Sequence, residues 1–561
     1  MNLLLLVIFG IILLISGYLI YGSILSKLFK LRTDSKTPAH QFRNNSDFVP
    51  VGKFYLLGQH LSAIAAAGPI VGPILAGMWF GWVPTFLWII FGGIFIGGVH
   101  DMAAIVASVR HQGRSIAEVV RENMSKRAFI LFLLFLWFSL VYVITAFTDI
   151  TASTFVDEVS GASIASSSIM YLMLALVMGI TLRVFKPPLF ISTLIFLPLI
   201  FLCIYLGPIF PLKLSPILGM DIRTTWDIAL LIYCFFAAVI PVWLLLQPRG
   251  YLGGFFLVFT AGLSFIGLII GNFIQSFTIQ YPAFMGWFSP NGFPLFPLLF
   301  TTVACGACSG FHAIVSSGTT SKQISKETDA KLIGYGGMLL ESFVAIIALA
   351  TLLLLSSSQM QKLKDPNLIY ANGIAVFLGA LGINKEFALN FALLAFATFV
   401  YDTLDVATRL GRYIFEELTG WRGKFTPYIS ALATLILPAI FVTRKITDIQ
   451  GNIIPAWRVF WTIFGSSNQL LAALVLFGIS VWLFKNRMKW LITLVPSIFM
   501  MLIAIASLFL VLKPWVSSMI LQGKFTPEPM VITASILLLL AFLLIVEGAR
   551  VLIKRREGVD S

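Results

Sequence analysis

The chain has 561 residues, 59% of them hydrophobic and 11% charged, with a mean hydropathy of +0.96. This excludes an ordinary soluble domain, which carries roughly 45–50% apolar and 25% charged residues. The net charge of +14 does not point to nucleic acid, because the basic residues sit at the ends of apolar runs and never gather on an independent domain.

From the N-terminus, Leu3 to Ile24 lacks a basic leader and a small-residue cleavage site, so it reads as a retained span. Apolar segments centre near residues 14, 65, 96, 138, 174, 197, 236, 262, 305, 345, 397, 433, 468, 500 and 541, which predicts about fifteen crossings. Assigning alternate loops to alternate sides puts about 28 of the 38 Lys and Arg on one side. By the positive-inside rule that side is the cytoplasm, with the N-terminus outside and the C-terminus inside. The expected architecture is a single all-α polytopic membrane domain over residues 1–561. It divides into a first span and basic loop (1–50), a motif-bearing core (51–470) and accessory spans (471–561). The four cysteines, Cys203, Cys234, Cys305 and Cys308, all lie in apolar segments, which argues against a disulfide framework.

The first internal feature is HLSAIAAAGPIVGPILAG at 60–77, long enough to cross a bilayer yet interrupted by Gly68, Pro69, Gly72 and Pro73. Non-helical backbone at membrane depth is tolerated only where it is buried in protein or lines a polar cavity. The interruption therefore predicts a cavity, with a proline kink used for packing as the plainer alternative. Next, GGVHDMAAIVA carries His100 and Asp101 inside a span, where a charge costs roughly 2.5–3.5 kcal/mol and needs a partner or a function. GRSIAEVVRENMSK at 113–126 reads as a short amphipathic interfacial helix with Ile116, Val119 and Val120 between charges. PVWLLLQPRGYL at 241–252 ends a span at Pro248 and puts Arg249 at the cytoplasmic interface, as a topological anchor or as a guide for an anion.

A second interruption lies at 304–320, ACGACSGFHAIVSSGTT, in a span that the crossing count sets antiparallel to the first. Two interrupted spans of opposite sense point to an inverted-repeat secondary transporter, with half-helix N-termini facing an anionic group and unwound carbonyls holding a cation. His60 and His312 each belong to an interrupted span. Each is either a proton relay or, more plainly, hydrogen-bonded in a polar interior. A Zn²⁺ ion among His60, His312 and Asp101 is chemically reasonable, but the spacing carries no metal signature. Glu341, in GYGGMLLESFVAI, lies as deep as Asp101. In YDTLDVATRLGRY, Asp405 and Arg409 are spaced for an i,i+4 ion pair, while Asp402 and Thr403 are better placed to reach a cavity. FGSSNQLLA at 464–472 reads as a third interruption or as polar glue through Asn468 and Gln469. No P-loop, HExxH or GxSxG pattern occurs, so neither an ATP-driven pump nor an intramembrane hydrolase is supported, and no cofactor is expected.

HLSAIAAAGPIVGPILA, PVWLLLQPRGYL, ACGACSGFHAIVSSGTTSKQ, IGYGGMLLESFVAI and TLDVATRLGRY, in this order over residues 50–470, together resemble the carbon starvation protein family of bacterial inner-membrane transporters. The resemblance implies cation-driven uptake of peptides or pyruvate when nutrients are scarce. It also implies a core like that of the amino acid, polyamine and organocation transporters: two inverted five-helix repeats with broken first and sixth helices. The chain departs from the family pattern at Gly250, where an Asp is expected.

Together these readings predict a cation-coupled importer of small carboxylate-bearing nutrients, peptides ahead of pyruvate, with a channel and a membrane sensor as rivals of other classes. Backbone amides of Gly68, Gly72 and Gly310, beside Pro69, are expected to hold the carboxylate in a cavity lined by Ser62, Ser309, Ser316 and Thr319. His60, Asp101, His312 and Glu341 are expected to handle protons, and Thr403 and Asp405 to hold Na⁺ or close the core.

Overall fold

The computed structural model describes the chain apart from residues 1, 45–47, 66, 124, 159, 218, 291, 357–362, 364, 445, 448–452, 523–528 and 558–561. The helices in chain order are α1 (Leu3–Leu28), α2 (Lys53–Ile64), α3 (Gly68–Phe80), α4 (Trp82–Arg110), α5 (Ile116–Asn123), α6 (Lys126–Phe155), α7 (Gly161–Val184), α8 (Leu189–Leu206), α9 (Ile222–Val239) and α10 (Leu246–Gln275). They continue with α11 (Leu295–Thr302), α12 (Gly310–Gly318), α13 (Glu327–Leu353), α14 (Pro366–Gly379), α15 (Lys385–Thr419), α16 (Thr426–Thr443), α17 (Ala456–Lys485), α18 (Leu491–Gln522) and α19 (Pro529–Glu557). Among the described residues the only strands are Ile446–Thr447 and Ile453–Ile454, paired antiparallel. The protein is thus an all-helical, multi-pass membrane protein.

Among the described residues twelve helices are long and apolar enough to cross a membrane, and the bent pair α2–α3, with 48° between its halves, makes thirteen. The remaining two of the fifteen sequence centres fall on the split pair α11–α12 and on α19, whose apolar part, Val531–Glu547, is short. Local chemistry fixes many of the ends. Asn2, Ser125, Asp221 and Asn384 accept backbone N–H bonds as N-caps, and Gly420, at φ 69°, ends α15 in the left-handed region.

Burial separates core from periphery. The apolar windows of α4, α13 and α17 are 89% buried and that of α15 is 83% buried, against 33–39% for α1, α8, α16 and α18. Helices α6, α9, α15 and α16 pack against one another, while α2–α3, α4, α12 and α13 form a second group, flanked by α10 on α2 and by α17 on α12. Gly-bounded π-turns interrupt α1 at Gly17–Tyr21 and α4 at Gly93–Gly97, and α13 begins with one at Lys331–Gly336. Tyr335 joins all three: its hydroxyl donates to Ile94 O at 3.1 Å, and its ring lies where a Cβ on Gly22 or Gly98 would stand.

One expectation is corrected here. Residues 464–472 lie within continuous α17, so there is no third interruption; the amides of Asn468 and Gln469 bond outward instead of breaking their own helix. Helix α5 is short and amphipathic as expected, and its apolar face packs on protein: Ile116, Ala117, Val119 and Val120 are buried against α6 and α17, and Ser317 accepts the Ile116 N–H at 3.1 Å.

Candidate functional site

The first span breaks one turn earlier than its glycines and prolines predict, after Ile64 and before Gly68. Pro69 sits in the opening turn of α3, where a missing N–H costs nothing, so the proline starts the outer half instead of ending the inner one. The second break covers residues 303–309. Its carbonyls are accounted for as burial demands: Trp88 donates to Val303 O at 3.0 Å, Ser342 to Gly306 O at 3.1 Å, and the Cys308 N–H to Ala304 O at 2.8 Å. Asn468, from α17, caps α12 by accepting the Phe311 N–H at 2.9 Å and donates to Ser309 Oγ at 2.9 Å.

The two broken spans lie against each other. His60 meets Thr320, Gly68 meets Cys305 and Gly72 meets Thr302, so rising numbers on one face falling numbers on the other and the spans are antiparallel. Gly68 and Gly72 provide the close approach: a Cβ on Gly72 would stand 2.5 Å from Thr302 O, and one on Gly68 would overlap Cys305. Gly310 is pressed in the same way onto Asn468 and Ala472.

Between the spans lies a histidine–carboxylate cluster. His100 and Asp101 on α4, His312 on α12 and Glu341 on α13 are all fully buried. Asp101 accepts from both rings, His100 Nδ1 at 2.8 Å and His312 Nδ1 at 2.7 Å. His312 Nε2 then faces Glu341 Oε2 at 3.2 Å. An ionised carboxylate only accepts, and a neutral imidazole donating through Nδ1 has a lone pair on Nε2. The His312–Glu341 contact therefore needs one proton, on the ring or on the carboxyl group. His60 stands beside this cluster with Nδ1 2.8 Å from Thr320 Oγ1. The weighed Zn²⁺ set is not assembled. His312 bonds Asp101 through Nδ1 and stands near Glu341 through Nε2 without hydrogen-bond geometry, His60 turns to Thr320, and no three metal-binding side chains among the described residues are arranged to hold an ion.

A second buried cluster is centred on Arg249, which is 1% exposed. Its Nε lies 3.0 Å from Asp402 Oδ1, and its Nη1 pairs with Asp405 and the Tyr233 hydroxyl. Tyr233 donates to Asp405 Oδ2 at 2.6 Å, the guanidinium lies over the Tyr401 ring at 5.2 Å, and Ser62 donates to Asp402. Arg249 is thus no interfacial anchor. The expected Asp405–Arg409 pair is also replaced: Arg409 donates to Ala237 O at 2.6 Å and Ile240 O at 2.5 Å, and Arg412 to Ala238 O at 2.9 Å. These arginines satisfy the free carbonyls at the end of α9.

A cavity of about 20 Å³, room for a single water, lies between the spans and is lined by Gln59, His60, Thr319, Thr320, Gln323 and Asp402. A larger one, about 150 Å³, lies on the other side of Arg249 among Ser168, Tyr171, Trp226, Tyr233 and Tyr401. Of the expected lining, Thr319 reaches the small cavity, Ser62 is bonded to Asp402, Ser309 to Asn468, and buried Ser316 has no partner for its hydroxyl. Thr403 reaches back to Ala63 O at 3.4 Å, next to the first break. Sequence reasoning placed Tyr233, Tyr401 and Gln323 in no site and gave Arg249 only an interfacial position, as an anchor or a guide for an anion. The available signal for Arg249 was that two deep aspartates, Asp402 and Asp405, need a cation.

The carbon starvation protein CstA family model matches residues 2–369 and 356–507. The chain is 30% identical over 548 residues to the peptide transporter CstA of Bacillus subtilis, covering 88% of each chain. It is 29% identical over 570 residues to the pyruvate/proton symporter BtsT of Escherichia coli, covering 85% of this chain and 77% of that one. Among solved structures, MhsT in complex with L-phenylalanine aligns over 82% of this chain and 98% of its own, at TM-score 0.50 and 13% identity, a likeness of fold alone.

Proposed function

Because the chain belongs to the carbon starvation protein CstA family, we propose that it imports small carboxylate-bearing nutrients, peptides first, across the bacterial inner membrane by coupling to an inward cation gradient, in response to carbon starvation. The observation that carries the coupling is His312, on the second broken span, held between two buried carboxylates in a contact short of one proton. A group whose protonation decides whether a mobile half-helix is tied to α13 suits a proton better than Na⁺. His60, Asp101, His312 and Glu341 handle that proton. Thr403 and Asp405, engaged with Ala63 and Arg249, close the core.

The core is read as two inverted five-helix repeats, α2–α3, α4, α6, α9 and α10 against α11–α12, α13, α15, α16 and α17, with α7–α8 and α14 inserted. Support comes from the antiparallel breaks and from a π-turn in the second helix of each set. On this reading the N-terminus is outside and the C-terminus cytoplasmic. Substrate enters between the breaks, beside Ser62, Pro69, Ser309, Ser316 and Thr319, once α2 and α12 part. The glycine amides of the breaks are packed in the present conformation and come into use only then.

A second reading, pyruvate, is favoured by one observation: the cavity beside Arg249 is about 150 Å³, which suits a ligand of about six heavy atoms. Counterflow in proteoliposomes, with labelled dipeptide and labelled pyruvate in parallel and an imposed pH gradient, tests the proposal. Saturable dipeptide exchange accelerated by outside acid is expected, and pyruvate exchange without peptide competition makes it a monocarboxylate carrier. Non-saturating flux reassigns it as a channel, and binding without exchange as a sensor.

A further inference from the structure

Away from both buried clusters, a pocket of about 510 Å³ opens where α1, α4 and α17 end. It is lined by Lys30, Arg32, Lys36 and Arg110 against a single carboxylate, Glu327. Arg110 is committed: it bonds Glu327 Oε1 at 2.5 and 3.0 Å and the carbonyls of Phe29 and Lys30. Lys30, Arg32 and Lys36 form no ion pair among the described residues, which leaves the pocket with three uncompensated positive charges. The surrounding backbone is strained. Of five non-glycine residues with positive φ, Lys30 (49°) and Gln112 (61°) line this pocket, and Arg487 (53°) sits between two more of its residues, Asn486 and Met488. Such conformations cost of order 1–3 kcal/mol and concentrate at binding sites.

Three residues beyond Met488, Leu491 belongs to a second concavity of about 730 Å³, walled by α1, α4, α11 and α18. It is apolar and rich in exposed aromatic and aliphatic side chains: Phe91 (56%), Phe95 (44%), Leu491 (56%) and Val495 (63%). On α4 it runs from Pro84 to Ile96, about 18 Å at the helical rise, and the cationic pocket lies beyond its Ile96 end at Arg110. Positive-inside counting puts that end on the cytoplasmic side. A cationic pocket at the end of an apolar groove, the groove walled by α1 and α4 and the pocket by the loop after α1 and the end of α4, matches a ligand with a phosphate at one end and an acyl chain at the other.

We propose that this surface holds one anionic phospholipid of the cytoplasmic leaflet, its phosphate on Lys30, Arg32 and Lys36 and an acyl chain along Phe91, Phe95 and Val495. The test is native mass spectrometry of the detergent-released full chain titrated with phosphatidylglycerol or phosphatidylethanolamine. A retained phosphatidylglycerol adduct at least tenfold favoured over phosphatidylethanolamine is expected. It should fall at least tenfold in the Lys30→Gln/Arg32→Gln/Lys36→Gln variant and in Val495→Trp, which fills the groove at an exposed position and leaves the cationic loop intact. Millimolar glycerol 1-phosphate should not displace it. Equal retention by either variant, no preference between the two lipids, or displacement by glycerol phosphate, which marks a soluble-phosphate site, overturns the proposal.

Discussion

The two buried ionic clusters solve the same problem in opposite ways. Around Arg249 the charge is permanent: a guanidinium does not lose its proton, and two carboxylates, three tyrosines and a serine are arranged about it. Around His312 the charge is conditional, because the ring and Glu341 share a contact that one proton completes. The first cluster ties α10 to α15 and the start of the first break. The second ties a broken span to α4 and α13. A fixed charge is suited to holding helices together, and a titratable one to letting them part.

The comparison breaks most sharply at Arg249. Arg249→Met leaves Asp402 and Asp405 buried without their cation, and a loss of about 3–5 kcal/mol is expected, read as a large drop in the thermal midpoint in detergent. Adding Asp402→Asn and Asp405→Asn should restore most of it; an unchanged midpoint in the single variant would remove the structural role given to this cluster. Glu341→Gln should act the other way. Stability stays within about 1 kcal/mol, while gradient-driven uptake falls at least about tenfold, the effect of one charge-assisted hydrogen bond. Uptake by the unaltered protein should rise as the outside is acidified and that of the variant stay flat, so a variant that still follows the gradient sinks the proton assignment. The smallest effect is expected at Ser62→Ala, which removes one donor to Asp402 and costs about 1 kcal/mol. A midpoint shift as large as that of Arg249→Met would mean that the first break, and not the arginine, organises the cluster.

Much of this was legible in the residues. Glycine and proline punctuation at 68–73 and the small-residue run at 304–320 marked both broken spans, because those side chains fit poorly in a lipid-facing helix. The position of the first break was misjudged by one turn, since Pro69 suits a helix start as well as it ends one. His60, Asp101, His312 and Glu341 stood out singly by depth, and nothing in their spacing showed that three different helices bring Asp101, His312 and Glu341 together. The Asp405–Arg409 spacing misled because a local i,i+4 pair is weak, at about 0.3–0.5 kcal/mol, and a buried arginine 156 positions away takes the carboxylate instead. Asn468 could be read as glue, but its target, the Phe311 N–H, exists only in the folded core.

On the proposed transport cycle, the glycine contacts between the broken spans would separate the parts that move from those that stay together. Gly72 lies under Thr302 O, backbone against backbone, and Gly68 packs on the Cys305 side chain, so α3 is held tightly against the end of α11 and the break that follows it. Helix α2 and the turn that follows α12 share the His60–Thr320 bond beside a water-sized void, a looser joint than the glycine contacts. On the proposed transport cycle the spans would therefore pivot at the breaks and open toward the side on which Lys53 and Lys322 stand.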